Sequence, residues 1–289
     1  MRLWLAGLLL FLVAAAHAAG FKVADDSGAT VGFDAPPQRI ISLAPNLTEL
    51  AWAAGMGPHM VAVTAYSNYP AAVKQLPQVG DAFRLDWERI VAFKPDLVLA
   101  WKSGLSVRDR AEFGRLHLKL LVLEPRRLAD IPKDLRLLGR IAGTENIAES
   151  AAQDFERRRD QLRKKYASRP VVRAWFQIAE SPLLTINGKH IISDVLRLCG
   201  AQNVFADAPL LTPVVSNEAL VAARPQILFG VADTPQQQER IRAGWRQLPL
   251  AAVRAGHMAF VPADLISRAT PRLLQGAAQI CRQVDSVRH

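Results

Sequence analysis

The amino-acid sequence predicts an α/β protein of two lobes, each with a central, mostly parallel sheet flanked by helices, the two joined by one long backbone helix. Three observations predict it. Residues 86–100 read as a short helix, a Pro break and a buried strand, and residues 216–230 repeat that pattern, with Glu88 and Glu218, and again Pro95 and Pro225, 130 positions apart. A single repeat of that size means two similar lobes rather than a solenoid. Apolar runs of strand length alternate with helical patterns, as in a parallel sheet covered on both faces. Finally, residues 145–167 form a helical pattern with no internal Pro or Gly, ending before Ser168-Arg169-Pro170.

Taken in order, the first lobe opens with a strand at 39–43. Asn46 and Glu49 have capping-box spacing for the helix that follows, and Gly55 is its stop signal. Strands follow at 61–63, 97–101 and 120–123, with helical patterns between them. The long helix carries a narrow apolar stripe (Ile147, Ala151, Phe155, Leu162, Tyr166). At about 1.5 Å per residue it spans roughly 30 Å, and it reads as a rigid connector outside both cores. The second lobe has strands at 171–177, 226–229 and 257–261, and helices at 191–198, around 236–245 and at about 270–287. In each copy of the repeat a Glu sits in the first helical turn, behind a cap at Asp86 or Asn217. Acidic residues suit helix N-termini in any case, by roughly 0.3–1 kcal/mol each. The alternative is a clamp that docks symmetrically onto a partner.

Met1-Arg2, the apolar stretch 3–13 and the small-x-small site Ala16-His17-Ala18 read as a secretory signal peptide over residues 1–18. The expected boundaries are then 19–143 for the first lobe, 144–168 for the connecting helix and 169–289 for the second lobe. In an oxidising compartment the two cysteines, Cys199 and Cys281, most simply form one disulfide, stapling the last helix to its own lobe. They lack the spacing of a redox couple or a metal site. The formal charge is +10. In an exported chain a nucleic-acid partner is not expected, and the densest basic run, Arg157 to Lys165, is interleaved with acids as on a solvated helix face.

The chain resembles the class III periplasmic substrate-binding proteins of ABC importers, which carry vitamin B12, iron siderophores and haem, and most of all their cobalamin-binding branch. The likeness runs from Arg39 to Val284. Its motifs are Ile-Ser-Leu-Ala-Pro-Asn-Leu-Thr-Glu-Leu at 41–50, Tyr-Ser-Asn-Tyr-Pro at 66–70, Leu-Asp-Trp-Glu-Arg-Ile through Trp101 at 85–101, Val-Leu-Arg-Leu-Cys-Gly at 195–200 and Ser-Arg-Ala-Thr-Pro-Arg at 267–272. The resemblance implies that Glu88 and Glu218 pair with arginines on a permease dimer that works with ATPase subunits. It implies a corrinoid bound between the lobes, with the cobalt carried by the ligand and no cofactor or metal of the protein's own, and it implies a monomer. The implied ligand contacts are Tyr66, Phe83 and Trp101 from the first lobe and Asp264 and Arg268 from the second, where Asp264 either accepts from a ligand amide or orients Arg268. Trp52 and Trp245 are expected to be structural. The chain departs from the branch at Phe83, where a Trp is usual, and at Thr212, Leu265 and Ile266, where aromatics are frequent. One wall of the cleft is therefore expected to be less aromatic, which leaves haem or a ferric siderophore as the alternative ligand. His190 is read as a solvated loop residue or an axial ligand to a metal chelate. The absence of G-x-S-x-G, H-E-x-x-H, P-loop and G-x-G-x-x-G patterns argues against an enzyme.

Overall fold

The computed structural model describes residues 20–288, so the expected signal peptide at 1–18 lies outside the described residues. The chain does not begin its first lobe at Arg39. It opens with an antiparallel hairpin, β1 (Phe21–Ala24) and β2 (Thr30–Phe33), closed by a stacked Phe21–Phe33 pair. The first lobe then runs β3 (Ile40–Ser42), α1 (Pro45–Ala53), β4 (Met60–Val63), α2 (Trp87–Ala92), β5 (Leu97–Trp101), α3 (Val107–Arg115), β6 (Leu120–Leu123) and α4 (Asp130–Ala142). The connector is α5 (Glu145–Tyr166). The second lobe runs β7 (Val172–Gln177), α6 (Ile191–Leu198), β8 (Ala201–Asn203), α7 (Asn217–Ala223), β9 (Ile227–Val231), α8 (Pro235–Arg246), α9 (Ala251–Arg254), β10 (Met258–Val261), α10 (Ala263–Ile266) and α11 (Leu273–Ser286).

Both sheets are parallel and have four strands, ordered β4-β3-β5-β6 and β10-β9-β7-β8. Numbered within its own lobe, each order is 2-1-3-4, so the two lobes share one topology. The duplication reaches individual hydrogen bonds. Lys94 and Arg224 both end their helices in the left-handed region with φ 46°, just before Pro95 and Pro225. Asp96 accepts from the amides of Gln38 and Arg39, and Gln226 accepts from the amide of Arg173, so the same position pins the first strand of each lobe. Arg39 donates to the Phe93 carbonyl at 2.7 Å and Arg173 to the Ala223 carbonyl at 2.6 Å, closing the last turns of α2 and α7. The cap of α7 is Ser216, whose hydroxyl accepts from the Ala219 amide. Asn217, expected as the cap, is the first residue inside the helix.

Strand side chains alternate between two faces. Ile40, Leu97 and Leu99 join a core shared by both lobes, whereas Ile41 and Val98 pack with Ile90 and Phe113 on the outer face of the first sheet. In the second sheet Ala174, Phe176 and Phe229 join the shared core, and Trp175 and Leu228 face outward with Trp245. The expectation that α5 stands outside both cores is corrected: Ala148, Ala152, Phe155 and Tyr166 are buried in the shared core. Arg136 of α4 strengthens the seam with paired bonds to Glu149 (2.7 and 3.0 Å) and Glu156 (2.8 and 2.9 Å) on α5. The Cys199–Cys281 disulfide is formed and ties the end of α6 to α11.

The hairpin is tied to the edge strand β6. Asp25 accepts from the Val122 amide at 3.1 Å and Asp26 from the Glu124 amide at 2.6 Å. Beside it, Asp134 of α4 is buried, and neither of its carboxyl oxygens has a partner among the described residues. Burial above all, and then the charge of Asp26, push its pKa from 3.8 up to about 7. Its folded pKa lies above the unfolded one. The stability it contributes is fully present below pH 3.8, falls as pH rises from there and is lost above about 7. Asp134→Asn should therefore raise stability at pH 8 by on the order of 1 kcal/mol and flatten the slope between pH 4 and 7. Urea unfolding at a series of pH values measures both.

Candidate functional site

The carboxyl ends of the first-lobe strands converge on one cavity, as expected for an open α/β sheet. Its volume is about 260 Å³, and its walls include Leu43 and Ala44 after β3, Thr64 to Tyr66 after β4, and Ala100 and Trp101 at the end of β5. Three expected aromatics share this cavity: Tyr66, Phe83 and Trp101. They are 78%, 98% and 40% exposed, and large aromatics left in water are the informative exception to burial. A larger cavity of about 1270 Å³ adjoins it, sharing Ala65, Asp81 to Leu85, Gly104 and Asp109, and runs to Asp86 and Trp87 at the head of α2.

Each aromatic is held out by local backbone chemistry. Trp101 ends β5 and is the one exposed residue of that strand. Asp81 accepts from the amides of Phe83 (2.8 Å) and Arg84 (2.9 Å), a side-chain turn that leaves Phe83 at a loop tip. Those two bonds, led by Phe83, hold the Asp81 carboxyl below its usual range. Tyr66 has φ 67°, a left-handed conformation costing roughly 1–2 kcal/mol for a residue with a Cβ. Such strain persists where surrounding contacts enforce it.

The enforcing contact comes from the other lobe. Arg268 donates through Nη2 to the Tyr66 carbonyl at 3.0 Å and also meets Asp264 at 2.7 Å. Through Nη1 it donates to Asn68 Oδ1 at 2.7 Å and Glu49 Oε1 at 2.6 Å. Three of the five guanidinium N–H groups thus donate within the protein, and the ion pair with Asp264 adds a fourth polar contact. Arg268 lines the cavity with the aromatics, whereas Asp264 does not. Asp264 orients Arg268 and accepts from the Asn68 amide at 2.9 Å. Glu49 is not a capping residue: α1 is capped at Ala44, with Pro45 first in the helix and no side-chain cap. Its carboxylate, in a residue 4% exposed, is bound by Arg272 at 2.9 and 2.5 Å, by Arg268 and by the Thr270 hydroxyl at 3.1 Å.

Sequence reasoning missed Asn68 and Thr64 as well as Glu49. Thr64 lies on the cavity wall with a buried hydroxyl that has no partner among the described residues. Of the departures, Ile266 is buried in the shared core and Leu265 packs against it, and neither these nor Thr212 lines the cavity. Trp245 is buried and donates to Gln177, and Trp52 packs against the core, both structural as expected.

Glu88 and Glu218 are exposed, each the second residue of its helix, on α2 and α7. Bonds from the Ser216 hydroxyl and its own backbone hold the Glu218 carboxyl below its usual range. His190 is not a solvated loop residue. It caps α6, its Nδ1 accepting from the Ile192 amide at 3.2 Å, and burial lowers its pKa to about 4.

The model of the family described as Periplasmic binding protein matches residues 40–265. The vitamin B12-binding protein of Yersinia pestis (strain Pestoides F) is 36% identical over 250 residues, covering 86% of this chain and 87% of that one. This chain belongs to the periplasmic binding protein family. Among solved structures, the periplasmic vitamin B12 binding protein BtuF of Vibrio cholerae superposes with a TM-score of 0.79 at 34% identity, over 88% of this chain and 98% of that one. The periplasmic heme-binding protein RhuT from Roseiflexus sp. RS-1 gives 0.75 at 22% identity over 87% and 99%, a likeness of fold alone.

As a periplasmic binding protein with His190 engaged in capping, this chain should tolerate His190→Ala without loss of ligand affinity, at a cost of about 1 kcal/mol in stability. The stability tied to neutral His190 is present above pH 6.5 and is lost as pH falls through about 4. Paired unfolding and titration curves check this. A loss of affinity would make His190 a ligand group.

Proposed function

We propose that this periplasmic binding protein captures cobalamin or a related corrinoid in the inter-lobe cleft and delivers it to an ABC importer, acting as a binding protein and not as an enzyme. The observation that carries the reading is the convergence of Tyr66, Phe83 and Trp101, all exposed, on one cavity at the carboxyl ends of the strands. A corrinoid is a broad, partly apolar disc fringed with amides, which suits aromatic faces and a few hydrogen-bonding groups. The 260 Å³ cavity is smaller than an ordinary small-molecule site, so the adjoining space toward Asp86 supplies room for the rest of such a ligand. The relatives named for vitamin B12 binding support the same ligand. Under this reading Tyr66, Phe83 and Trp101 contact the disc. Arg268 lines the cavity as a hydrogen-bond donor and Asp264 holds it, while the cobalt belongs to the ligand and no further cofactor takes part.

The remaining assignments follow from the same reading. Residues 1–18 are a signal peptide that sends the chain to the periplasm, 19–143 and 169–289 are the two lobes, and 144–168 connects them. The protein works as a monomer. Glu88 and Glu218, at matched positions of the two lobes, pair with basic residues of the permease dimer that acts with ATPase subunits. Charge pairs of that kind set register and association rate.

Titration of the mature protein with cyanocobalamin, with haemin in parallel, tests the ligand. Cobalamin should bind at micromolar concentration or tighter, and Trp101→Ala should weaken it by about 1–3 kcal/mol, the scale of a buried aromatic contact. Binding of haemin alone would move the protein to a haem carrier. For docking, Glu88→Ala with Glu218→Ala should leave cobalamin affinity unchanged and slow capture by the membrane-embedded importer, most visibly at low salt. An unchanged capture rate would remove the two glutamates from the docking surface.

A further inference from the structure

Contact between the lobes at the cleft is built around one carboxylate. Glu49 projects from the second turn of α1 in the first lobe into a segment of the second lobe that spans residues 264–272. Arg268, at the middle of that segment, and Arg272, at its end, both reach it, and the Thr270 hydroxyl between them completes the shell. The Glu49 side chain is almost fully enclosed, and both guanidiniums are largely buried. Tyr69 of the first lobe covers Arg272, its ring centroid 4.0 Å from the guanidinium carbon, in cation–π geometry. With Asp264 the cluster holds two acids and two bases, so no buried charge is left over.

The clasp is connected to the ligand wall by a short path. Arg268 is held by Glu49 on one side and donates to the carbonyl of the strained Tyr66 on the other. Glu49 itself does not line the cavity. We propose that Glu49 is the positioning residue of the cleft: by clasping Arg268 and Arg272 it fixes the approach of the two lobes and the backbone of Tyr66, and so sets how long a ligand stays bound without touching it. The effect on residence time rests on the corrinoid reading above, whereas the effect on the lobes does not.

The test is Glu49→Gln, which keeps the side-chain shape and removes the charge. Without ligand, amide hydrogen exchange in residues 65–69 and 265–273 should quicken by about tenfold relative to the rest of the chain, because the buried arginines lose their counter-ion. With cyanocobalamin, the dissociation rate should rise by about tenfold with little change in association, as for loss of one partner in a buried charge pair. The affinity lost on Tyr66→Ala should shrink in the Glu49→Gln background, which a merely stabilising residue would not produce. If Glu49→Gln does not fold, Arg272→Gln leaves Glu49 with Arg268 and Thr270 and should give the same changes at smaller size. Unchanged exchange in both segments overturns the clasp. Faster exchange with an unchanged dissociation rate overturns the positioning role. If wild type binds no cobalamin, the exchange result still decides whether the clasp exists.

Discussion

A carboxylate placed out of water costs several kcal/mol, and only close, well-aligned cationic partners offset it. Glu49 meets that demand with two guanidiniums and a hydroxyl, all from the opposite lobe. The arrangement is therefore stable only while the lobes stand where they do. Removing the carboxylate would leave the buried Arg272 without its counter-ion, a penalty of about 3–5 kcal/mol. The shared apolar core fixes the lobes from below, where α4, α5, α6 and α11 pack together, and the clasp fixes them at the mouth of the cleft. The cost of the left-handed Tyr66 is sustained by this arrangement, because the bond to its carbonyl comes from a residue the clasp has already immobilised.

The two lobes are copies in one respect and unlike in another. Sheet order, the left-handed residues before Pro95 and Pro225, the arginines that close α2 and α7, and the exposed glutamates in the first turns all repeat. The cavity does not. Its aromatics come from the first lobe, and the second lobe adds Ser267 and Arg268. Symmetry is kept on the surface that carries Glu88 and Glu218 and is absent where a single small molecule would sit. That division is what the proposed function asks for: matched contacts for a two-fold partner and an unmatched site for one small molecule.

The parts of the fold legible in the sequence are those governed by local periodicity. Strands β5 and β6 and helix α6 fall where the apolar runs place them, and the repeat discloses the shared topology. What is not legible there depends on contacts between distant residues. Strands β1 and β2 are too short for their alternation to stand out, and they owe their place to Asp25 and Asp26 bonding the backbone of β6. Glu49 follows Asn46 at capping-box spacing, yet Pro45 takes the first helical position and frees the carboxylate for the other lobe. The exposed aromatics are legible only through family likeness; composition alone does not separate Tyr66 from buried Trp175. Ile266, counted among the cleft departures, points into the core because α10 turns the chain between β10 and α11.

The packing of α5 constrains how the cleft can open. A connector standing free between two cores could bend, but α5 buries Ala148, Ala152 and Phe155 near its first lobe contacts and Tyr166 at its far end, and Arg136 chelates two of its glutamates. Bending it would break a close-packed interior, which deforms little and at high cost. Wide hinge motion about α5 therefore requires disrupting the core. The contacts that can change with less loss lie at the cleft: the Phe83 loop tip, Tyr66, and the polar bonds of Asn68, Asp264 and Arg268 at the clasp's solvent edge. Entry and exit of a ligand are then matters of small movements along that edge, with Glu49 at its buried end setting how far they extend.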